Sequence, residues 1–131
     1  ANEKQGETKV LIVDDSTTVR QVTSRLLKRH GFKTLTATDG VDALEVMEHE
    51  LPDIVLLDIE MPRMDGFQVV EMMKQSEKLK KIPVIMITSR SGEKHRLRAM
   101  QAGSDAYLTK PYIEEELLKL LAKYQNHGQA S

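Results

Sequence analysis

Polar side chains that could do chemistry together stand at the ends of four apolar runs in this sequence. They are Asp14 and Asp15, Asp58, Thr88, and Lys110. Carboxylates crowded at one place resist joint ionisation unless a cation joins them, and an all-oxygen cluster suits a hard ion such as Mg²⁺. A metal, an ammonium group and a hydroxyl around one carboxylate form a site for phosphoryl transfer, in which the carboxylate itself can be the nucleophile.

Two kinds of strand-like segment hold these residues. Lys9–Val13, Ile54–Leu57 and Ile82–Thr88 are nearly continuous apolar runs, which are typical of strands buried on both faces. Lys33–Thr38 and Ala106–Thr109 mix apolar with polar residues. We therefore expect the first three segments in the centre of a sheet and the other two at its edges.

Helical patterns separate the strand-like segments, and the first and last helices show them most clearly. Their apolar positions are Val19, Val22, Leu26 and Leu27 in the first and Ile113, Leu117, Leu120, Leu121 and Tyr124 in the last. The alternation predicts an α/β fold, a flavodoxin-like doubly wound sheet of five parallel strands in the order 2-1-3-4-5 with helices on both faces. Ligands of such sheets gather outside the carboxyl ends of the strands, where the polar run ends would meet.

Length and composition fit one domain without a nucleic-acid or membrane partner. A chain of 131 residues can bury a single core, and a formal charge of −1 gives no basic field for nucleic acid. No apolar run approaches the roughly 20 residues that span a bilayer. The absence of cysteine excludes disulfides, thiolate catalysis and zinc–thiolate sites, and it fits a cytosolic protein. We expect a linker or appended tail at residues 1–7, one domain at 8–125 and a frayed end at 126–131.

Each of these polar residues also has a purely structural explanation. Asp15 or Ser16 could cap the first helix, and Asp65-Gly66 could form only a turn and a helix start. Lys110 alone would be an ordinary exposed lysine. The four histidines are scattered on polar faces and are typical of solvated side chains. Only the convergence of the strand ends argues for a site.

Four blocks of sequence carry a family resemblance. They are Asp14-Asp15, Leu56-Leu57-Asp58-x-x-Met61-Pro62-x-Met64-Asp65-Gly66, Pro83-Val84-Ile85-Met86-Ile87-Thr88 and Tyr107-Leu108-Thr109-Lys110-Pro111. Over about residues 8–124 the chain resembles the receiver domain of two-component response regulators. The resemblance implies a bacterial, cytoplasmic signalling module that is not an enzyme on its own, apart from catalysing its own phosphorylation and dephosphorylation.

The resemblance also implies a role for each acidic residue. Asp58 would accept a phosphoryl group from a phosphohistidine of a histidine-phosphotransfer or histidine kinase domain. Asp15, Asp58 and the backbone carbonyl of Glu60 would bind Mg²⁺, with Mn²⁺ as the alternative ion. Asp14 would act mainly through a metal-bound water.

The same resemblance implies a switch. Lys110 would contact the phosphoryl oxygens, and its peptide bond to Pro111 would be cis. Thr88 would move toward the phosphate and Tyr107 would turn inward, which would alter the face made by the fourth helix, the fifth strand and the fifth helix. We expect a monomer, with a dimer through that face as the alternative.

A finer resemblance concerns receivers at the C-terminus of chemotaxis-type hybrid histidine kinases, notably those of pilus-linked chemosensory systems. It rests on Asp14-Asp15-Ser16 with Val19-Arg20, on Arg29-His30-Gly31, on segment 87–96 and on Lys110-Pro111-Tyr112. The parent chain would then be a histidine kinase. In such a pathway, which could serve twitching motility, the receiver would either drive an output or act as a phosphate sink.

Glu60 and Arg90 would lie at the mouth of the site. We hypothesise that they pair there and hinder the water that hydrolyses an aspartyl-phosphate. An exposed pair contributes only about 0–1 kcal/mol, so we expect a modest effect.

Two other functions fit the same fold less well. A metal-dependent phosphatase of the haloacid-dehalogenase type carries a second Asp where this chain has Glu60. A flavin-binding module would need a phosphate cradle rich in Ser, Thr and Gly, whereas these loops offer carboxylates.

Overall fold

The computed structural model of the protein describes residues 8–129, which form five strands and five helices. The strands are β1 Lys9–Val13, β2 Lys33–Ala37, β3 Ile54–Asp58, β4 Val84–Thr88 and β5 Ala106–Thr109. The helices are α1 Thr17–Arg29, α2 Gly40–His49, α3 Gly66–Lys74, α4 Glu93–Ala102 and α5 Glu114–Gln129. None of these helices combines the length and the apolar character that crossing a bilayer would require.

All neighbouring strands are parallel, in the order β2-β1-β3-β4-β5, which confirms the predicted fold. Every residue of β3 and β4 is buried, whereas β2 and β5 contain partly exposed positions. The order reverses between β1 and β3. The carboxyl ends of these two strands therefore border the crevice in which such sheets bind ligands.

Alternate side chains of the central strands enter two separate cores on opposite faces of the sheet. One face, which includes Leu11, Val55 and Met86, packs against buried residues of α2, α3 and α4. The other, which includes Ile12 and Leu56, packs against residues of α1 and α5. Packing on both faces thus makes the sheet rigid, and the loops at its carboxyl edge are left to hold the functional residues.

Side-chain caps fix the first turns of three helices directly after loops at this edge. Ser16, Asp39 and Asp65 accept hydrogen bonds from the backbone N–H groups of residues 19, 42 and 68, respectively. A cap of this kind contributes about 1 kcal/mol. The structural explanation of Ser16 and Asp65 is therefore correct, and it leaves Asp14, Asp15 and Asp58 available.

A strand start and the burial of two apolar residues differ from the sequence predictions. Strand β4 begins at Val84 rather than Ile82, because the Ile82 N–H bonds the Leu79 carbonyl and Pro83 has no N–H. Val22 is 59% exposed, since α1 packs through Thr23, Leu26 and Leu27 and leaves Val22 at its margin. Ile113 precedes the first turn of α5 and is 65% exposed.

Helix α5 continues to Gln129, past the predicted domain end at residue 125. The predicted linker at 1–7 and the last two residues of the predicted frayed end lie outside the described residues.

Candidate functional site

Three carboxylates converge at the edge of the sheet. Asp58 is the last residue of β3, and Asp14 and Asp15 follow β1. Each offers an oxygen that lies within 4.8 Å of an oxygen of the other two. Asp14 and Asp58 are buried, at 5% and 6% exposure, while Asp15 is exposed. This all-oxygen set, open on one side, fits a hard divalent cation such as Mg²⁺.

Lys110, which follows β5, supplies the positive charge of this cluster. Its Nζ lies 3.2 Å from Asp14 Oδ2 and 3.9 Å from Asp58 Oδ1. Burial acts to lower the pKa of Lys110, but the Asp58 and Asp14 carboxylates outweigh it and raise that pKa. The ammonium is therefore charged throughout the physiological range. The Lys110-Pro111 peptide bond is cis.

Burial dominates the electrostatics of Asp58. It raises the pKa of this carboxyl to about 6, opposed by the Lys110 ammonium and assisted by the Asp14 carboxylate. The Glu60 N–H also donates a 3.2 Å hydrogen bond to Asp58 Oδ1. The side chain is thus oriented, mostly ionised at pH 7, and less stabilised as an anion than an exposed aspartate.

Asp14, the first residue of the acidic pair after β1, is held by hydrogen bonds to both its backbone and its side chain. The Ser16 N–H donates to Asp14 Oδ1 at 2.9 Å, and the Asp14 N–H donates to the Ala37 carbonyl. Arg20 on α1 donates to the Asp14 carbonyl at 2.6 Å. These hydrogen bonds hold the loop in a fixed shape. The contact made by Arg20 was not predicted, since Arg20 entered only as part of a family resemblance.

Glu60 and Arg90 meet across the mouth of the site. Arg90 Nε lies 2.8 Å from Glu60 Oε2, and the Ser89 hydroxyl donates to Glu60 Oε1 at 3.1 Å. Both side chains of the ion pair are substantially exposed, at 60% and 41%. Both carboxylate oxygens of Glu60 consequently have a hydrogen-bond partner.

Thr88 and Tyr107 both form hydrogen bonds with the backbone of Arg90. The fully buried Thr88 hydroxyl accepts a hydrogen bond from the Arg90 N–H, and the half-buried Tyr107 hydroxyl donates 2.5 Å to the Arg90 carbonyl. Burial first, and then the Glu60 carboxylate, raise the pKa of Tyr107, so its hydroxyl stays protonated. The segment after β4 thus joins the site mouth to β5.

An open groove of about 610 Å³ leads away from Asp58. It lies between α1 and the segment after β5, and its lining includes Asp58, Lys110, Val19, Val22 and Tyr112. The exposed Val22 side chain belongs to this groove. A partner could therefore approach Asp58 along a largely apolar path.

The family follows from a comparison with known protein families. Residues 10–122 match the response regulator receiver domain. The chain belongs to the response regulator receiver family. That finding confirms the predicted resemblance, and it covers every residue of the carboxylate cluster.

Individual relatives extend over most of this receiver. Protein PilG of Pseudomonas aeruginosa is 44% identical over 110 residues, which are 84% of this chain and 82% of that protein. The sensor histidine kinase CheAY of Helicobacter pylori is 38% identical over 87% of this chain, which spans only 14% of that kinase. The crystallised chemotaxis protein CheY4 of Vibrio cholerae is 33% identical, with a TM-score of 0.85 over 90% of this chain and 98% of that one.

One contact between two loops of the receiver was not predicted from the sequence. Arg63, in the loop after β3, reaches Asp39, which precedes α2. Nothing in the sequence links two residues that are 24 positions apart in different loops.

Proposed function

We propose that this receiver accepts a phosphoryl group on Asp58 from the phosphohistidine of a histidine kinase or histidine-phosphotransfer domain, in a Mg²⁺-dependent reaction. The observation that carries the proposal is the placement of Asp58. It is a buried carboxylate with two further carboxylates close by and the Lys110 ammonium at 3.9 Å. Negative charge that develops on a transferred phosphoryl group would meet positive charge at this position.

The transfer uses Asp58 as the nucleophile. An Oδ atom of Asp58 forms the new bond to phosphorus, while the phosphorus–nitrogen bond of the phosphohistidine breaks and its electron pair stays on the imidazole. Lys110 would contact the phosphoryl oxygens. Its closer present partner is Asp14, so it would exchange one anionic partner for another without leaving the cluster.

Asp15, Asp58 and the Glu60 carbonyl would hold the Mg²⁺ ion, and Asp14 would act through a bound water. The ion would supply charge neutralisation at the carboxylates and at the phosphoryl oxygens. The crowding of the three carboxylates supports a bound cation, since a cation would relieve their mutual repulsion. Mn²⁺ has the same ligand preferences.

Phosphorylation would then alter the α4–β5–α5 face. The Thr88 hydroxyl would leave the Arg90 N–H for the phosphoryl group. Because Tyr107 is bonded to the carbonyl of the same residue, a shift of the segment after β4 would change the surroundings of Tyr107 on β5. Such a charge-driven change in a two-state segment is the general form of a phosphorylation switch.

The partner would dock on the groove beside α1. That helix carries Arg20, Arg25, Lys28 and Arg29 and no acidic residue. A basic helix next to an apolar groove that ends at Asp58 favours a phosphodonor with an apolar patch ringed by acidic residues. The occurrence of a similar segment within a sensor histidine kinase supports a place for this receiver in a cytoplasmic chemosensory hybrid kinase, as an output element or as a phosphate sink.

Incubation with a small phosphodonor tests the proposal. We expect intact-mass spectrometry to show one added phosphoryl group with Mg²⁺, and none when the ion is chelated. The Asp58→Asn variant should gain none in either case. An adduct that forms without a divalent ion, or that survives Asp58→Asn, would overturn the proposal.

A further inference from the structure

The loop that follows Asp58 contains a strained turn centred on Arg63. Among the described residues, Arg63 is the only non-glycine residue with positive φ, at 65°. The Met64 N–H donates to the Pro62 carbonyl at 2.7 Å, which closes a three-residue γ-turn around it. A γ-turn with positive φ at its centre is rare and strained, and residues with side chains avoid this region. Glycine would adopt this turn at lower energy. An interaction of the arginine side chain must therefore offset the strain.

That interaction is an ion pair with a neighbouring loop. Arg63 Nε and Nη2 both donate to Asp39 Oδ2, at 2.8 and 2.5 Å. The side chain of Asp39 is only 8% exposed, although that of Arg63 is 61% exposed. Asp39 Oδ1 simultaneously caps α2 through the Asp42 N–H. The carboxylate is therefore anchored at the start of a helix, and it holds the more exposed Arg63 side chain in place.

Backbone contacts make the same loop rigid elsewhere. The Gly66 N–H donates to the Ile59 carbonyl at 3.0 Å, which joins the two ends of the loop. The loop also lies directly on the start of α2, since a Cβ at Gly40 would stand 2.6 Å from the Met64 carbonyl oxygen. Glu60 is thus held between a fixed loop end and a turn whose tip is bonded to Asp39.

We infer that Arg63 is a positioning residue: its ion pair with Asp39 holds the loop after Asp58 in the shape that Mg²⁺ binding requires, and so sets the affinity of the site for that ion. The inference rests on the proposed function, in which the Glu60 carbonyl is a metal ligand. Arg63 lies three residues from Glu60 and touches neither the ion nor the phosphoryl group. It acts on the ligand through the backbone between them.

The Arg63→Gly variant separates this role from a merely structural one. Glycine removes the ion pair and also relieves the strained φ, so thermal stability should stay near that of the parent. We expect calorimetric titration with Mg²⁺ to show about three- to tenfold weaker binding, less than the roughly 10–100-fold loss caused by removing a direct partner of a metal ligand. Arg63→Lys, which keeps the charge, should recover part of the affinity.

Asp39→Asn supplies the matched partner change, because asparagine keeps an oxygen for the Asp42 N–H. It should weaken Mg²⁺ binding to a similar extent, and the double variant should bind no more weakly than Arg63→Gly alone. Lys78→Gly, which removes an exposed cation from a loop remote from the carboxylate cluster, is the control and should bind Mg²⁺ like the parent.

Phosphorylation by acetyl phosphate gives a second measurement on the same proteins. In Arg63→Gly the Mg²⁺ concentration at half-maximal rate should rise by the factor found in calorimetry, while the rate at saturating Mg²⁺ should match the parent.

Equal Mg²⁺ affinity of the parent and Arg63→Gly would overturn the inference and leave the proposed function intact. A large loss of thermal stability in Arg63→Gly would overturn it too, by making the role structural. If the parent itself bound no Mg²⁺, both the inference and the metal-dependent part of the proposed function would fall.

Discussion

The ammonium group of Lys110 lies 3.2 Å from the Asp14 carboxylate. Its distance to Asp58 is longer, 3.9 Å, which is too long for a hydrogen bond. Burial then raises the pKa of Asp58 to about 6 against the opposing effect of Lys110. The anionic form of Asp58 is consequently destabilised at neutral pH, and the folded protein should hold the proton of this carboxyl to a higher pH than the unfolded chain does.

Asp58→Asn should stabilise the protein at neutral pH. The folded pKa of about 6 exceeds the ordinary value of 3.8, so only the folded state holds the proton between these values. The free energy of unfolding of the parent therefore falls as the pH rises from the ordinary pKa to the folded pKa. Above the folded pKa the whole of this loss is present. We expect the variant to unfold at higher urea concentration near pH 7, with a gain of about 1–3 kcal/mol.

The gain should disappear below about pH 4, where both states of the parent are protonated. Glu48→Gln, which neutralises an exposed carboxylate on α2, is the control and should change stability little at either pH. A gain from Asp58→Asn that does not depend on pH would contradict the account of its burial.

Mg²⁺ affinity should decrease as the pH falls through about 6. Below the pKa of Asp58, binding must displace its proton, so the apparent affinity should drop by up to about tenfold per pH unit. Calorimetric titrations at several pH values, in buffers of different ionisation enthalpy, would count the released protons. Binding that stayed constant down to about pH 5 would contradict the combination of a raised pKa at Asp58 and a ligand role for this carboxylate.

Breaking the pair at the site mouth should shorten the life of the phosphorylated protein. Glu60→Ala and Arg90→Ala each remove one partner of the 2.8 Å contact and open the approach for water. Since an exposed pair contributes about 0–1 kcal/mol, we expect half-lives shortened by no more than about fivefold. Arg96→Ala breaks an exposed pair with Glu93 on α4 and serves as the control. Unchanged half-lives in both mouth variants would eliminate the hypothesis.

Val22→Glu should block the protein phosphodonor selectively. Val22 is 59% exposed in the groove that leads to Asp58, and a carboxylate there would repel an acidic partner surface. We expect transfer from a phosphohistidine domain to slow by about tenfold or more, a cost near 1.4 kcal/mol, with no change in labelling by acetyl phosphate. Val41→Glu places the same charge on α2 and should transfer normally. Equal slowing in both variants would contradict docking at the groove that contains Val22.

The main features of the fold could be predicted because a strand buried on both faces is apolar along its whole length. Segment 54–57 is continuously apolar since it is buried on both faces, and Asp58 interrupts it where the strand ends. The strand order then brought distant residues such as Asp14 and Lys110 together. The exposure of Val22 could not be predicted in this way, since its spacing suits the buried face of the helix, and the width of that face depends on what packs against it.

Finer features of the site depend on distances that no sequence pattern carries. The preference of Lys110 for Asp14 over Asp58 is a difference between 3.2 and 3.9 Å. The φ of 65° at Arg63 is likewise hidden, because arginine is not a residue that indicates such a turn. Side-chain contacts between loops therefore had to be read from the structure.

The most direct test of the central claim is to locate the phosphoryl group on the chain. Borohydride reduction of an aspartyl-phosphate converts that aspartate to homoserine, which peptide mass mapping identifies by position. After treatment with a phosphohistidine donor and Mg²⁺, homoserine should be found at position 58, and chelation should abolish it. Homoserine at position 14 or 15, or phosphate retained on a serine or histidine instead, would contradict the assignment of Asp58 as the acceptor.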